Sequence, residues 1–105
     1  MQLSNEEEDY NLSLSKFESM LKTNKVLFFD SEEFEEIILH YLDIGKANLA
    51  KKALKLALDQ HPKSTGLKLV QVEMLVYDDK LEIAEKIIKK LYAIEPNNKE
   101  IYIYF

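Results

Sequence analysis

The amino-acid sequence predicts an all-α fold made of antiparallel helix-turn-helix repeats, an α-solenoid type with about five to six helices. Three observations predict this class. Apolar residues recur at intervals of three and four through most of the chain, which is the spacing of one helix face. The 105 residues include only two glycines and two prolines, too few for a fold that depends on many tight turns. Several structurally distinct positions also recur at one fixed offset along the chain, which is typical of a repeat array.

The segment before the repeats has two predicted parts. Residues 1–9 are polar and acidic, and we expect them to form a flexible tail or a frayed first helical turn. Residues 10–30 are predicted to form a capping helix over 10–23, followed by an apolar connector. The apolar stripe of this helix consists of Tyr10, Leu14, Phe17 and Leu21. The connector run Val26 to Phe29 is too apolar for a free loop, so we expect it to pack beneath its neighbours.

The first predicted repeat covers residues 31–64. Asp30 and Glu33 have the spacing of a capping box, with Ser31 as an alternative cap, so a helix is expected to begin here. Gly45 is expected to end it, since glycine accepts the left-handed conformation that terminates helices. The second helix is predicted over 47–60. The inward residues of the two helices are Phe34, Ile37, Ile38 and Tyr41, then Ala50, Ala53, Leu54, Ala57 and Leu58.

The second predicted repeat covers residues 65–98. One helix is expected over about 64–77 and another over 81–93, with a turn at Asp78 and Asp79 between them and Pro96 after the second. The expected core residues are Leu67, Val70, Met74 and Tyr77 in the first helix and Ile83, Ala84, Ile87, Ile88 and Leu91 in the second. Residues 99–105 are predicted to start a further helix.

The repeat itself rests on coincident offsets. Three pairs of positions share one 34-residue offset, namely Ala50 and Ala84, Leu54 and Ile88, and Pro62 and Pro96. In this respect the chain resembles the tetratricopeptide repeat family, whose unit is a pair of antiparallel helices. The residues of the first repeat that match the family pattern are Phe34, Ile37, Tyr41, Ala50, Leu54, Ala57 and Pro62. The second repeat is degenerate, with Lys68 and Gln71 at two expected apolar positions. The resemblance implies that the chain is the amino-terminal part of a longer repeat protein.

The resemblance also implies a function. Partners in this family bind in a groove lined by the first helix of each hairpin, so we expect a non-catalytic scaffold that binds a peptide or partner protein. The groove residues carried over to this sequence are Glu32, Glu35, Leu39, Leu42, Leu69, Glu73, Val76 and Tyr77. This mixture favours a basic amphipathic helix or an extended apolar segment. The glutamates alone are also compatible with a solvated first helical turn.

One subgroup of the family grips the carboxylate of acidic peptide tails with lysine, arginine and asparagine. The corresponding positions here are Glu35, Leu39, Val70, Glu100 and Tyr104. None of them keeps that chemistry, so we do not expect an acidic-tail receptor.

The composition argues against several other classes of function. The net charge is −5 and all 14 basic residues are lysines, so nucleic acid is not an expected partner. The chain has no cysteine, and neither His40 nor His61 stands at a nucleophile or metal spacing, so we expect no enzyme activity, cofactor or metal. No apolar run approaches about 20 residues, and no signal-like segment opens the chain. We therefore expect no membrane association and a cytoplasmic location.

A structural role is the alternative. In that case the chain caps a longer helical array, or associates with itself, without a ligand of its own. Two hairpins are fewer than the three or so that a continuous core needs, and the run Ile101 to Phe105 is apolar. A homodimer through this C-terminal apolar end is the form that self-association would take.

Overall fold

The computed structural model describes residues 5–23 and 25–102, and within them the side chains of 12–23 and 25–101. Six α-helices account for most of these residues, and the described residues include no β-strand. The helices are α1 (Asn5–Lys22), α2 (Ser31–Asp43), α3 (Ala47–Gln60), α4 (Thr65–Tyr77), α5 (Leu81–Ile94) and α6 (Lys99–Tyr102). The prediction of an all-α fold is thus confirmed. The chain divides after Pro62 into two compact units, with α1–α3 in the first and α4–α6 in the second.

Helix α1 is longer than predicted. It begins at Asn5, so residues 5–9 belong to the helix, while residues 1–4 lie outside the described part of the chain. Three consecutive glutamates follow Asn5 in the sequence, and negative charge near the partly positive amino terminus stabilises a helix. The buried face also differs from the predicted stripe, because Phe17 and Met20 are buried whereas Leu21 is exposed.

The first hairpin is formed as its start and stop signals predict. The Glu33 N–H donates to Asp30 Oδ1 at 2.7 Å, and the Asp30 N–H donates to Glu33 Oε1 at 3.1 Å, which completes the capping box. Gly45 has a φ of 75°, the left-handed conformation expected of it. The predicted inward residues of α2 are all buried, and Ala50, Ala53 and Ala57 of α3 are fully buried.

The second hairpin repeats the backbone of the first at the offset seen in the sequence. Helices α4 and α5 begin and end at positions equivalent to those of α2 and α3, and α6 begins one further repeat after α4. The bond from the Lys46 N–H to the Tyr41 carbonyl is 2.8 Å long, and so is the bond from the Lys80 N–H to the Leu75 carbonyl. Asp79 takes the place of Gly45 with a φ of 61°. The repeat is therefore a property of the backbone as well as of the residue pattern.

The core of the first unit is aromatic. The ring of Phe17 lies 6.2 Å from that of Phe29 and 5.9 Å from that of Tyr41, and the rings of Phe29 and Phe34 are 5.3 Å apart. Such tilted and edge-on arrangements stabilise a core beyond the area that the rings bury. Phe29 therefore ties the connector to the helices on either side of it.

The core of the second unit is aliphatic. It contains Leu69, Val72, Ala84, Ile88, Leu91 and Ile101. The predictions for Leu67, Val70, Met74, Ala84, Ile88 and Leu91 are confirmed. Those for Tyr77 and Ile83 are wrong, since both side chains are exposed. Tyr77 is the last residue of α4. Ile83 lies in the first turn of α5 next to the buried Ala84, and successive residues of a helix point in different directions, so Ile83 lies on another side.

Candidate partner-binding surface

Four predicted site residues lie on one helix of the first unit. Glu32, Glu35, Leu39 and Leu42 follow one another at spacings of three, four and three along α2, so they share one side of the helix. We call these four residues the α2 surface. Leu39 keeps 48% of its surface exposed and Leu42 is also exposed, while Glu35 is half-buried and Glu32 is exposed. The α2 surface is thus acidic toward the start of the helix and apolar toward its end.

The position of the α2 surface follows from how the helix packs. Phe34, Ile37, Ile38 and Tyr41 are buried, and α2 packs against both α1 and α3. Leu39 and Leu42 lie on the remaining side, where burial by this unit does not reach them. An exposed pair of leucines on a well-packed helix is a feature that a partner protein can cover.

Glu33 does not belong to this surface, although it lies next to Glu32 in the chain. Its carboxylate accepts the Asp30 N–H and also the hydroxyl of Ser13 from α1. Ser13 is buried, so this contact joins α1 to the start of α2. Glu32 borders an open cleft of about 580 Å³ on this side of the unit, together with Lys16. The acidic end of the α2 surface therefore adjoins a polar recess.

The other four predicted site residues lie on α4 of the second unit. Glu73 and Val76 are exposed, and Tyr77 keeps 91% of its surface exposed. We call Glu73, Val76 and Tyr77 the α4 surface. Leu69 does not join them, because it is buried in the core beside Val72. The prediction that Leu69 lines a binding surface is wrong for that reason.

The two surfaces correspond through the repeat. Leu42 and Val76 occupy equivalent positions of the two hairpins, because each is one residue before the end of its helix. Both side chains are exposed. In each helix a glutamate stands three or four residues before an exposed apolar residue, as Glu35 does before Leu39 and Glu73 before Val76. These two glutamates are not equivalent, because Glu73 stands at the position of Leu39, so only the exposed apolar position of Leu42 and Val76 recurs with the repeat.

The histidines have structural contacts. His61 Nε2 lies 2.6 Å from the Phe29 carbonyl oxygen, and the His61 ring stacks edge-on against Phe34 at 6.0 Å. His40 lies against the Tyr41 ring at 5.6 Å. Among the described residues, no group of three or more histidine, aspartate or glutamate side chains is arranged to hold a metal ion. No described helix combines the length and apolar character needed to cross a bilayer.

The connector between α1 and α2 differs from its prediction. Phe29 is buried as expected, but Val26 and Phe28 are exposed at 63% and 82%. Leu27 is 37% exposed, so the exposed fraction is higher at every second residue of this run, which is the period of an extended strand. The only sequence signal for this arrangement was the lack of a helical spacing between Val26 and Phe29, and it did not say which side chains face the core.

Comparison of the chain with protein-family models, with curated proteins and with solved structures finds no match. The geometry defines the class instead, as an all-α protein of helical hairpins that recur at a constant interval.

Proposed function

We propose that this chain is a non-catalytic scaffold for protein–protein interaction, which binds a peptide or partner protein through the α2 and α4 surfaces. In this proposal the two hairpins are tetratricopeptide-like repeats that act in the cytoplasm. The observation that carries the proposal is the recurrence of exposed apolar residues, Leu42 and Val76, at one position of a repeated hairpin. A repeat that served packing alone has no need to expose that position twice.

The chemistry of the α2 surface favours a particular partner. Glu35 stands about one helical turn before Leu39, and Glu32 stands about two turns before it. A short amphipathic segment with lysines at one end and apolar side chains at the other matches this order. The α4 surface has a similar but shorter arrangement, with Glu73 before Val76 and Tyr77. An exposed tyrosine is a common anchor in protein interfaces, because it combines a large apolar ring with a polar tip.

Titration with a lysine-rich amphipathic peptide tests the proposal. The ¹⁵N-labelled chain is followed by NMR as the peptide is added, and the shifted amides are mapped onto the helices. We expect the largest changes at Leu39, Leu42, Val76 and Tyr77. The amides of Lys51 and Lys52, on the exposed side of α3, serve as the internal reference and are expected to move little.

Salt separates the two parts of the expected interaction. The carboxylates are at the surface, so raising the salt to about 0.5 M is expected to weaken binding while the apolar contacts remain. Binding that maps to α3 or α5 instead of α2 and α4 would contradict the proposed surface. Binding that is indifferent to salt would contradict the role given to Glu32 and Glu35.

A second proposal assigns the chain a structural role, as a capping or self-association segment of a longer helical repeat protein. The observation that favours it is α6, which begins in register with α2 and α4 and places Ile101 in the core of the second unit. Hydrogen exchange at rising protein concentration tests this role. Protection of residues 99–102 that increases with concentration supports association through this end, and protection independent of concentration argues against it.

A further inference from the structure

The main chain of the connector is bonded on one edge only. The Leu27 N–H donates to Met20 Sδ at 3.2 Å, and the Leu27 carbonyl accepts from Gln60 Nε2 at 2.8 Å. The Phe29 N–H donates to Gln60 Oε1 at 3.1 Å, and the Phe29 carbonyl is the one that His61 contacts. All four main-chain polar groups of these two residues are therefore satisfied within the unit. The side-chain amide of Gln60 bridges the two residues, because it donates to the Leu27 carbonyl and accepts from the Phe29 N–H.

The alternate residues present the opposite edge. In an extended chain, successive residues direct their N–H and C=O groups to opposite sides. The main-chain groups of Val26 and Phe28 have no hydrogen-bond partner among the residues that the structure describes. Their side chains are the two most exposed in the connector. The connector thus combines an unpaired strand edge with an exposed apolar face, a combination that invites pairing with another strand.

We propose that a second copy of this chain pairs with the connector as an antiparallel strand, with Val26 opposite the partner's Phe28 and Phe28 opposite the partner's Val26. Each of these two pairs exchanges both of its N–H···O=C bonds, because Val26 and Phe28 direct their groups outward. The arrangement has a two-fold axis at Leu27. It satisfies the free donors and acceptors of both copies at once.

Self-complementarity favours a second copy over an unrelated strand. The register places an aromatic side chain across from a β-branched one twice, a pairing that stabilises antiparallel sheets. It also directs Lys25 of each copy toward the end of the other connector that carries Asp30. A parallel arrangement would instead place the two lysines side by side. The connector contains both members of each pair, so a second copy of the same chain is sufficient to form the strand pairing.

Sedimentation at concentrations from about 1 µM to about 1 mM tests the proposal on the full chain. We expect a reversible monomer–dimer equilibrium. Phe28→Lys is expected to raise the dimer dissociation constant about tenfold or more, since each dimer loses two cross-strand pairs. The side chain is exposed, so circular dichroism is expected to show an unchanged fold. Ile94→Lys, at a residue 72% exposed in α5, is the matched control and is expected to dimerise like the wild type.

Cysteine cross-linking tests the register, because the chain has no cysteine of its own. Val26→Cys and Phe28→Cys are mixed in equal amounts and oxidised gently. Residues that form a hydrogen-bonded pair of an antiparallel ladder have Cα atoms about 5.5 Å apart, which suits a disulfide. Random pairing in an equal mixture already gives twice as much mixed disulfide as either homodimeric product. We expect the mixed disulfide between positions 26 and 28 to exceed that twofold ratio clearly. Ile94→Cys measures the background of random collision.

Several results would overturn this inference. One is a chain that stays monomeric over the whole concentration range. Another is a dimer that survives Phe28→Lys unchanged, which would place the contact elsewhere. A mixed disulfide in no more than the twofold excess of random pairing would also count against the register. The connector lies outside the α2 and α4 surfaces, so these outcomes leave the proposed binding of a peptide or partner protein through those surfaces unaffected.

Discussion

Replacing Ala50 with leucine tests the packing on which the repeated hairpin depends. Ala50 lies in the first turn of α3 and is completely buried, and α3 packs against α2. A methyl group at this position lets the two helix axes approach closely. Leucine adds three carbon atoms to a place that has no room for them.

The expected cost follows from this overpacking. Extra carbons in a filled core force neighbouring side chains off their preferred rotamers, at about 1–3 kcal/mol of unfolding free energy. We expect Ala50→Leu to fall in that range. Ala84→Leu, at the equivalent and almost completely buried position of the second hairpin, is expected to show a similar loss of unfolding free energy.

Urea denaturation followed by circular dichroism measures the effect. Ala47→Leu is the control, because Ala47 belongs to the same helix but is exposed, and surface substitutions usually change stability by less than about 0.5 kcal/mol. If Ala50→Leu were as mild as Ala47→Leu, the close crossing of α2 and α3 would be refuted. A large loss in the control would show that leucine is harmful to α3 for a reason other than packing.

Three further predictions concern the turns and the connector. Gly45→Ala is expected to lower the free energy of unfolding by about 1–2 kcal/mol in a urea melt. The cost comes from backbone strain alone, since an added Cβ meets no atom within 4 Å. Asp79→Gly, at the equivalent left-handed residue, is expected to raise that free energy by less than about 1 kcal/mol, and a decrease would contradict the strain argument. Asp30→Ala removes the capping box of α2 and is expected to cost about 1 kcal/mol, whereas an unchanged melt would show that the cap is dispensable. Gln60→Ala is expected to speed hydrogen exchange of the Phe29 amide, and unchanged exchange would contradict the bond between them.

The helices and the repeat were predictable because local signals mark them. Asp30 and Glu33 start a helix, Gly45 stops it, and alanines mark where helices cross. Asp79 shows a limit of this reasoning. It adopts the left-handed conformation of Gly45 without being a glycine, and only the repeat offset relates the two.

The errors fall where distant contacts decide the outcome. Nothing near Val26 in sequence indicates that Gln60 and His61, far along the chain, hold the connector and turn Val26 and Phe28 outward. Leu69 was misplaced because α4 is apolar over a wide arc, so its periodicity does not select one face. Packing with α5 and α6 makes that choice.

The affinity of the α2 surface for its peptide tests the central claim most directly. Calorimetry with a lysine-rich amphipathic peptide compares the wild type with Leu39→Ser and with Ile83→Ser, whose isoleucine is about as exposed as Leu39, at 50% against 48%. Loss of an apolar contact on α2 is expected to weaken binding about tenfold, while the substitution on α5 leaves it unchanged. Equal affinities for all three proteins would contradict the claim that the first helix of the hairpin binds the partner.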